Sequence, residues 1–297
     1  MAFKLGFIGF GEAASIIAEG LLEQGLGGIR AYDICMDDPA RKDLLFDRAQ
    51  KTEVELTSSA EVLINVSDLI ISAVTCTEAL NAANSAAPHL GADQIYMDIN
   101  SVSPATKKQV GDAIEPSGAK FVEVAVMGDL PGYRYKVPMV LCGPAVPKVI
   151  EHLGPYGMVM EDFGPEFGRA AALKMFRSVM IKGMEALLQE SVLAASEYGV
   201  ADKVLESVGE GYPGMDWKAL ANYLIGRTAI HGERRSHEML EVSETLRGMG
   251  IDPFMSEAAA KRIKSASNLG LRETFDNKAP DSFHDVIREI RKAQGKS

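Results

Sequence analysis

The sequence predicts a chain in two parts, an α/β half on a doubly wound parallel sheet and then an all-helical half, joined through one long helix. Three observations predict it. Leu5 to Ile8, Asp68 to Val74 and Ile95 to Ile99 are short, nearly unbroken apolar runs, the character of strands covered on both faces of a parallel sheet. A turn, Gly9-Phe10-Gly11, joins the first run to apolar residues at helical spacing from Ala13 to Leu22. From Arg169 to Tyr198 the chain holds no proline and one glycine, Gly183, while apolar residues recur at three- and four-residue intervals through Leu173, Phe176, Met180, Met184, Leu187 and Leu188. That pattern predicts a helix of unusual length.

Strand, glycine turn and helix together form the context that the fingerprint Gly9-x-Gly11-x-x-Ala14 needs in order to bind a dinucleotide. Gly9 allows the tight turn, Gly11 lets a pyrophosphate approach the backbone, and Ala14 lets the helix pack on the strand. The backbone around Phe10, Glu12 and Ala13 then presents free N–H groups and a positive dipole end to the phosphates. This is the turn of a Rossmann-type domain. A second strand, Ile29 to Tyr32, ends at Asp33, 22 residues beyond Gly11. A carboxylate there grips the ribose hydroxyls and repels the extra phosphate of NADP. NAD is the expected cofactor. NADP is the alternative, reached if Arg30 or Arg41 folds over the site.

The remaining α/β elements follow in order. Met36 to Asp43 reads as a polar stretch, Glu53 to Leu56 as a third strand, and Ser58-Ser59 as the cap of a short helix. Val74 ends the strand 68–74 and Thr75 opens the loop 75–77 at its carboxyl end, where open α/β sheets bind ligands. Glu78 to Leu90 reads as a helix. Asn100 and Ser101 follow the strand 95–99, and Ser103-Pro104 reads as a cap and first turn. Lys120 to Val126 and Lys136 to Leu141 read as strands around a glycine- and proline-containing loop, Met127 to Tyr133. Val146 to Leu153 and Gly157 to Glu161 finish the half. The boundary is placed at 163/164, giving a dinucleotide-binding domain over 1–163 and a helical substrate and dimerisation domain over 164–297. In the latter, Trp217 to Ile225, Thr228 to Met249, Pro253 to Ser267 and Ser282 to Ala293 carry helical patterns.

A net charge of −10 over 297 residues argues against nucleic acid and anionic membranes as partners. The opening Met-Ala-Phe-Lys-Leu-Gly has no secretory signal pattern, and no apolar run approaches the roughly 18 residues of a membrane span. Cys35, Cys76 and Cys142 are scattered, as expected of buried thiols in a reducing, cytoplasmic setting. No metal-ligand spacing is present, so no metal is expected. Met175, Met180 and Met184 read as core filler, and Trp217 and Tyr212 as core or interface.

The order of parts resembles the β-hydroxyacid dehydrogenase group, which is similar to 6-phosphogluconate dehydrogenase. The resemblance rests on Gly6-Phe7-Ile8-Gly9-Phe10-Gly11, on Asp98-Ile99-Asn100-Ser101-Val102-Ser103-Pro104 where the family has Asp-x-Ser-Thr-x-x-Pro, on Gly164-x-x-x-Gly168 followed by Lys174, and on the helix carrying Glu238 ahead of Gly250 and Pro253. It implies Lys174 as the catalytic lysine, with Ser178 where the family has an asparagine. It implies Ser101 and Met127 at the substrate, Met127 standing where the family's serine holds the substrate carboxylate. It implies Asn100 and Glu238 near the cofactor, His237-Glu238 replacing a Lys-Asp pair. Glu123-Val124-Ala125-Val126-Met127, Lys136-Val137-Pro138 and His231 to Met239 resemble a divergent branch with its own helical C-terminal domain of unassigned function.

Oxidising an alcohol with a nicotinamide needs a base for the hydroxyl proton. Lys174 is that candidate, and Arg177, about one turn away, is a candidate substrate contact. Without the resemblance Lys174 would read as a surface residue of an amphipathic helix. His231, Arg234, Arg235 and Glu238 share one helical face; His231 and Arg235 are candidates to hold an anionic substrate, against a solvated face with internal ion pairs. The expectation is an NAD(P)-dependent dehydrogenase acting on CH–OH in a small hydroxy acid, working as a homodimer because long helices bury poorly in one small domain. The rivals are an imine reductase, which does not need Lys174 as an alcohol base, and a catalytically silent NAD-binding sensor.

Overall fold

The computed structural model describes residues 3–295; Met1 and Ala2, where the reading of the N-terminus began, lie outside them. The chain forms two compact units, the first ending at Lys174 and the second beginning at Met175. The division falls inside the long helix, which contributes to both.

The first unit runs β1 Leu5–Ile8, α1 Glu12–Glu23, β2 Arg30–Tyr32, α2 Lys42–Lys51, β3 Glu55–Leu56, α3 Ala60–Asn65, β4 Leu69–Ser72, α4 Ala79–Ala86, β5 Ile95–Asp98, α5 Pro104–Ile114, β6 Lys120–Val126, α6 Leu130–Tyr133, β7 Met139–Cys142, α7 Val146–Leu153, β8 Met160–Asp162 and the start of α8, Arg169–Glu197. The strands form one sheet in the order β3-β2-β1-β4-β5-β6-β7-β8. Neighbours are parallel except β6 and β7, which pair antiparallel with Glu123 opposite Cys142. The doubly wound parallel sheet expected from the sequence is present, with this one pair antiparallel. The twelve residues between these strands, 127–138, hold only the one-turn helix α6 and a 3-10 turn over Arg134–Lys136, not the full helix that a crossover to a parallel strand usually carries. β7 therefore runs back beside β6.

Alternation along the strands sorts side chains to two cores. Phe7, Leu69, Ile71, Met97 and Val122 face Ile17, Leu21, Leu45 and Val149, from α1, α2 and α7. Ile8, Ile70, Tyr96 and Phe121 face Leu63, Ala83, Val110 and Ile114, from α3, α4 and α5. Helices thus cover both faces, as the apolar runs require. α2 was not foreseen because it buries only Leu45 and Ala49. β1 lies between β2 and β4, so the chain leaves its carboxyl end where the strand order reverses, the place where such sheets bind ligands.

The second unit continues α8 and adds α9 Ala201–Gly211, α10 Trp217–Gly248, α11 Phe254–Ser267, α12 Leu271–Thr274 and α13 Phe283–Ala293. One core gathers Val192, Leu205, Leu224, Ile225, Phe283 and Ile287; a second gathers Met175, Met239, Val242 and Ile263. α10 is one helix where the sequence predicts two. Gly226 does not break it: a Cβ there would lie 3.1 Å from the Pro280 carbonyl oxygen, so the glycine admits a close backbone approach. Met180 is exposed rather than core, and Cys142 is the one fully buried cysteine. No helix among the described residues is long and apolar enough to cross a membrane.

Candidate active site

The first half of the site is the turn after β1. Gly9 has a φ of +84°, and a Cβ there would lie 2.5 Å from the Ala73 carbonyl oxygen, so only glycine fits. Its N–H donates to the Tyr32 carbonyl at 2.8 Å. The Phe10 N–H donates to Asp33 Oδ2 at 2.7 Å, and the Cys35 N–H to Asp33 Oδ1 at 2.8 Å. Asp33 thus ties the end of β2 to the glycine turn. Phe10 is corrected as a cofactor contact: its ring is fully buried in the core and its N–H already has Asp33. Gly11 is the N-cap of α1 and makes no side-chain cap bond. No protein atom lies within 4 Å of where its Cβ would stand. Open space at Gly11, a helix start without a side-chain cap, and exposed Glu12 with half-buried Ala13 beyond it suit a diphosphate.

The next wall is the carboxyl end of β4 and β5. Asn100 is 5 % exposed. Its Nδ2 donates to Ser72 Oγ at 3.0 Å and to Asp98, and its Oδ1 accepts the Val74 N–H at 2.7 Å. Both donors of the Asn100 side-chain amide are satisfied inside the protein. The amide holds the loop bearing Val74 and exposed Thr75. Asp98 is fully buried beside Lys107, whose Nζ donates to Asp98 Oδ2 at 2.7 Å, to the Asp98 carbonyl at 2.7 Å and to the Val124 carbonyl at 3.1 Å. Sequence reading missed Lys107. Its signal was a lysine on the apolar face of a helix, in step with Val110, Gly111 and Ile114.

Lys174 comes to this wall from α8. Its Nζ donates to Ser101 Oγ at 2.6 Å. The helix that carries it is capped from β6, where Glu123, 0 % exposed, accepts the Gly168 N–H and, at 2.7 Å, the Ala171 N–H. Glu123 was also missed, because its partners lie far along the chain. Cys142, its thiol pushed up to about 11 by burial and then by Glu123, meets the Ala170 N–H of the same turn. Met127 packs on the apolar cluster of Ala125, Val140, Cys142 and Ala170, so that position offers a substrate carboxylate no hydrogen-bond donor from its side chain.

In the helical unit Arg177 is exposed and Ser178 follows one turn after Lys174. Arg235 is corrected as a substrate contact. It is 4 % exposed, and its guanidinium grips Glu185, with Nε at 2.9 Å from Oε1 and a second bond to Oε2. Thr228 Oγ1 donates to the same carboxylate at 2.6 Å. Glu238 lies between Lys182 and Arg234. Burial raises its carboxyl, but Lys182 and then the two arginines outweigh that and leave it below the ordinary 4.5. Burial also pulls Lys182 below its ordinary value despite Glu238. His231 is held below its ordinary value by burial, then by Arg234, Arg227, Arg235 and Arg272. It is a surface histidine in a basic neighbourhood.

A glycine-floored dinucleotide turn with a lysine carried in on the following long helix defines the class, the β-hydroxyacid dehydrogenase-like proteins. Residues 4–101 match the family model described as NADP oxidoreductase, coenzyme F420-dependent, and residues 195–266 match a domain of unknown function (DUF1932). The chain is 38 % identical to a conserved hypothetical protein from Sinorhizobium meliloti, covering 99 % of this chain and 97 % of that one with a TM-score of 0.83. It is 32 % identical, over 93 % and 99 % of the two chains with a TM-score of 0.75, to a conserved protein of unknown function described as structurally similar to 3-hydroxyacid dehydrogenases. It is 25 % identical to a mitochondrial 3-hydroxyisobutyrate dehydrogenase of Drosophila melanogaster, over 69 % of this chain and 64 % of that one. The chain belongs to this divergent β-hydroxyacid dehydrogenase-like family.

Proposed function

We propose that the chain is an NAD-dependent dehydrogenase acting on the CH–OH carbon of a small hydroxy acid, with Lys174 as the acid/base group. The observation that carries this reading is the 2.6 Å hydrogen bond from Lys174 Nζ to Ser101 Oγ, at the carboxyl end of β5, two strands along the sheet from the glycine turn after β1. The nicotinamide, when bound, supplies the hydride acceptor. Gly9, Gly11 and the start of α1 hold its diphosphate, and Asp33 meets the ribose. Lys174 in its neutral form takes the hydroxyl proton during oxidation and returns it in reduction. Ser101 accepts from Nζ and so fixes the direction in which the amine points.

Two further features support parts of this reading. Arg30 and Arg41, the cations that could welcome an NADP phosphate, are paired with Glu55 and Asp38 at 2.9 and 2.8 Å, which favours NAD. The 3-hydroxyisobutyrate dehydrogenase among the relatives favours a β-hydroxy acid as substrate. We also propose a homodimer, because Leu173, Met180 and Leu187 are 39, 69 and 58 % exposed and their seven-residue spacing places them on one face of α8.

The test is Lys174→Ala, with NAD and a panel of 3-hydroxy acids, followed by NADH absorbance. Turnover is expected to fall by roughly 10²- to 10⁴-fold, while NADH still binds by fluorescence. Equal turnover in the variant ends the base role. A wild-type protein that binds NADH but oxidises none of the panel ends the dehydrogenase reading.

A further inference from the structure

The residue that precedes α8 is Gly168, which has no side chain with which to cap the first turn. Gly168, immediately before Arg169, has a φ of +93°, and the opening N–H groups of a helix need acceptors. A buried carboxylate from another element supplies two of them. Glu123 Oε2 takes the Gly168 N–H and Oε1 takes the Ala171 N–H at 2.7 Å. Ala171 and Lys174 stand three residues apart, on the same side of the helix.

The same carboxylate is in register with the strand that leads to the lysine's partner. Glu123 on β6 pairs with Asp98 on β5, and Ser101 follows three residues after Asp98. Lys107 locks the two strands together, bonding both Asp98 and the carbonyl of Val124 beside Glu123. Adjacent strands therefore carry the group that starts the helix and the hydroxyl that receives Lys174 Nζ.

We infer that Glu123 is the positioning residue of Lys174: by capping α8 from β6 it sets the place of the amine against Ser101 and supplies the negative charge that balances the positive end of the helix beneath it. This rests on the reading of Lys174 as the acid/base group. A helix N-terminus disfavours a nearby ammonium, and a carboxylate at that terminus offsets it. Glu123 thus governs both where Lys174 sits and how readily it holds its proton.

The test needs neither substrate nor cofactor. The titration midpoint of Lys174 is read from the pH dependence of its acetylation by acetic anhydride, peptide by peptide by mass spectrometry, with exposed Lys51 and Lys261 as references. Glu123→Gln keeps the shape and removes the charge. Its Lys174 midpoint is expected to fall by at least about half a unit, with the references unmoved, and Glu123→Asp is expected to fall between it and wild type. A folded Glu123→Gln protein with the wild-type midpoint overturns the assignment, even if its melting temperature has dropped, since a purely structural cap would lower stability alone. If Glu123→Gln does not fold, Glu123→Asp decides: its shorter side chain draws back from Ala171, and a midpoint equal to wild type overturns the assignment. Labelling is indifferent to catalysis. A positive result here beside a fully active Lys174→Ala protein sinks only the acid/base role of Lys174, and the reverse sinks only the role of Glu123.

Discussion

Asp33 holds two backbone N–H groups, of Phe10 and Cys35, with its two carboxylate oxygens, so its removal acts on the turn as well as on the ribose. Asp33→Ala is expected to weaken NADH binding and to shift the NADH-to-NADPH affinity ratio toward NADPH by about tenfold or more, the worth of a charged hydrogen bond. The loosened turn weakens both cofactors alike and cancels in the ratio. Fluorescence titration with each nucleotide measures it, and an unchanged ratio ends the NAD reading. At this scale the residues visible from sequence were those in local motifs, such as Gly9, Gly11, Asp33 and Ser103, whose hydroxyl caps α5 on the Thr106 N–H at 3.1 Å. Glu123 and Arg235 were not legible. A carboxylate on a strand looks the same whether it meets water or a helix start 45 residues later, and a guanidinium on a charged helix face gives no sign that Glu185 lies opposite.

Between elements, α8 and α10 are joined by a buried ion pair, Glu185 with Arg235, to which the Thr228 hydroxyl also donates, and by a half-buried one, Lys182 with Glu238. A group whose folded value is lowered stabilises the fold fully above its unfolded value, and that contribution is lost as pH falls through the folded one. Glu238, lowered from 4.5, follows this rule, as do Asp202 and Glu233 on the same unit. Glu241, raised mainly by burial, acts in the opposite sense, stabilising at low pH and losing that contribution as pH rises through its folded value. The lowered groups outnumber it. The melting temperature of the helical unit is therefore expected to drop as pH falls below about 4.5, and Glu238→Gln should make the drop shallower. Circular dichroism melts across pH measure both; a Glu238→Gln curve parallel to wild type would show that this carboxylate carries no linkage. These pairs were hidden in the sequence because charges at core-periodic positions look like interruptions of an apolar stripe until the partner helix is in place.

For the whole molecule, the stripe of Leu173, Met180 and Leu187 on α8 is one apolar face that the single chain leaves exposed. A stable dimer buries on the order of 1,200–2,000 Å², and a charge placed in the centre of such a face is costly to desolvate. Wild type is expected to sediment as a dimer at micromolar concentration and Met180→Lys as a monomer with an unchanged circular dichroism spectrum. A monomeric wild type sinks the homodimer proposal.

The sequence by itself determined the α/β half, the glycine turn with its carboxylate at the end of β2, and the long helix bearing Lys174. Each is written in contacts between residues close in the chain or in a period that one element imposes. Tertiary structure alone decided that β7 runs antiparallel, that α10 continues through Gly226, that Asn100 and Arg235 turn inward, and that Glu123 meets the start of α8. Those outcomes depend on which distant group arrives to accept a proton or fill a space, and buried polar groups take whichever partner the packing brings.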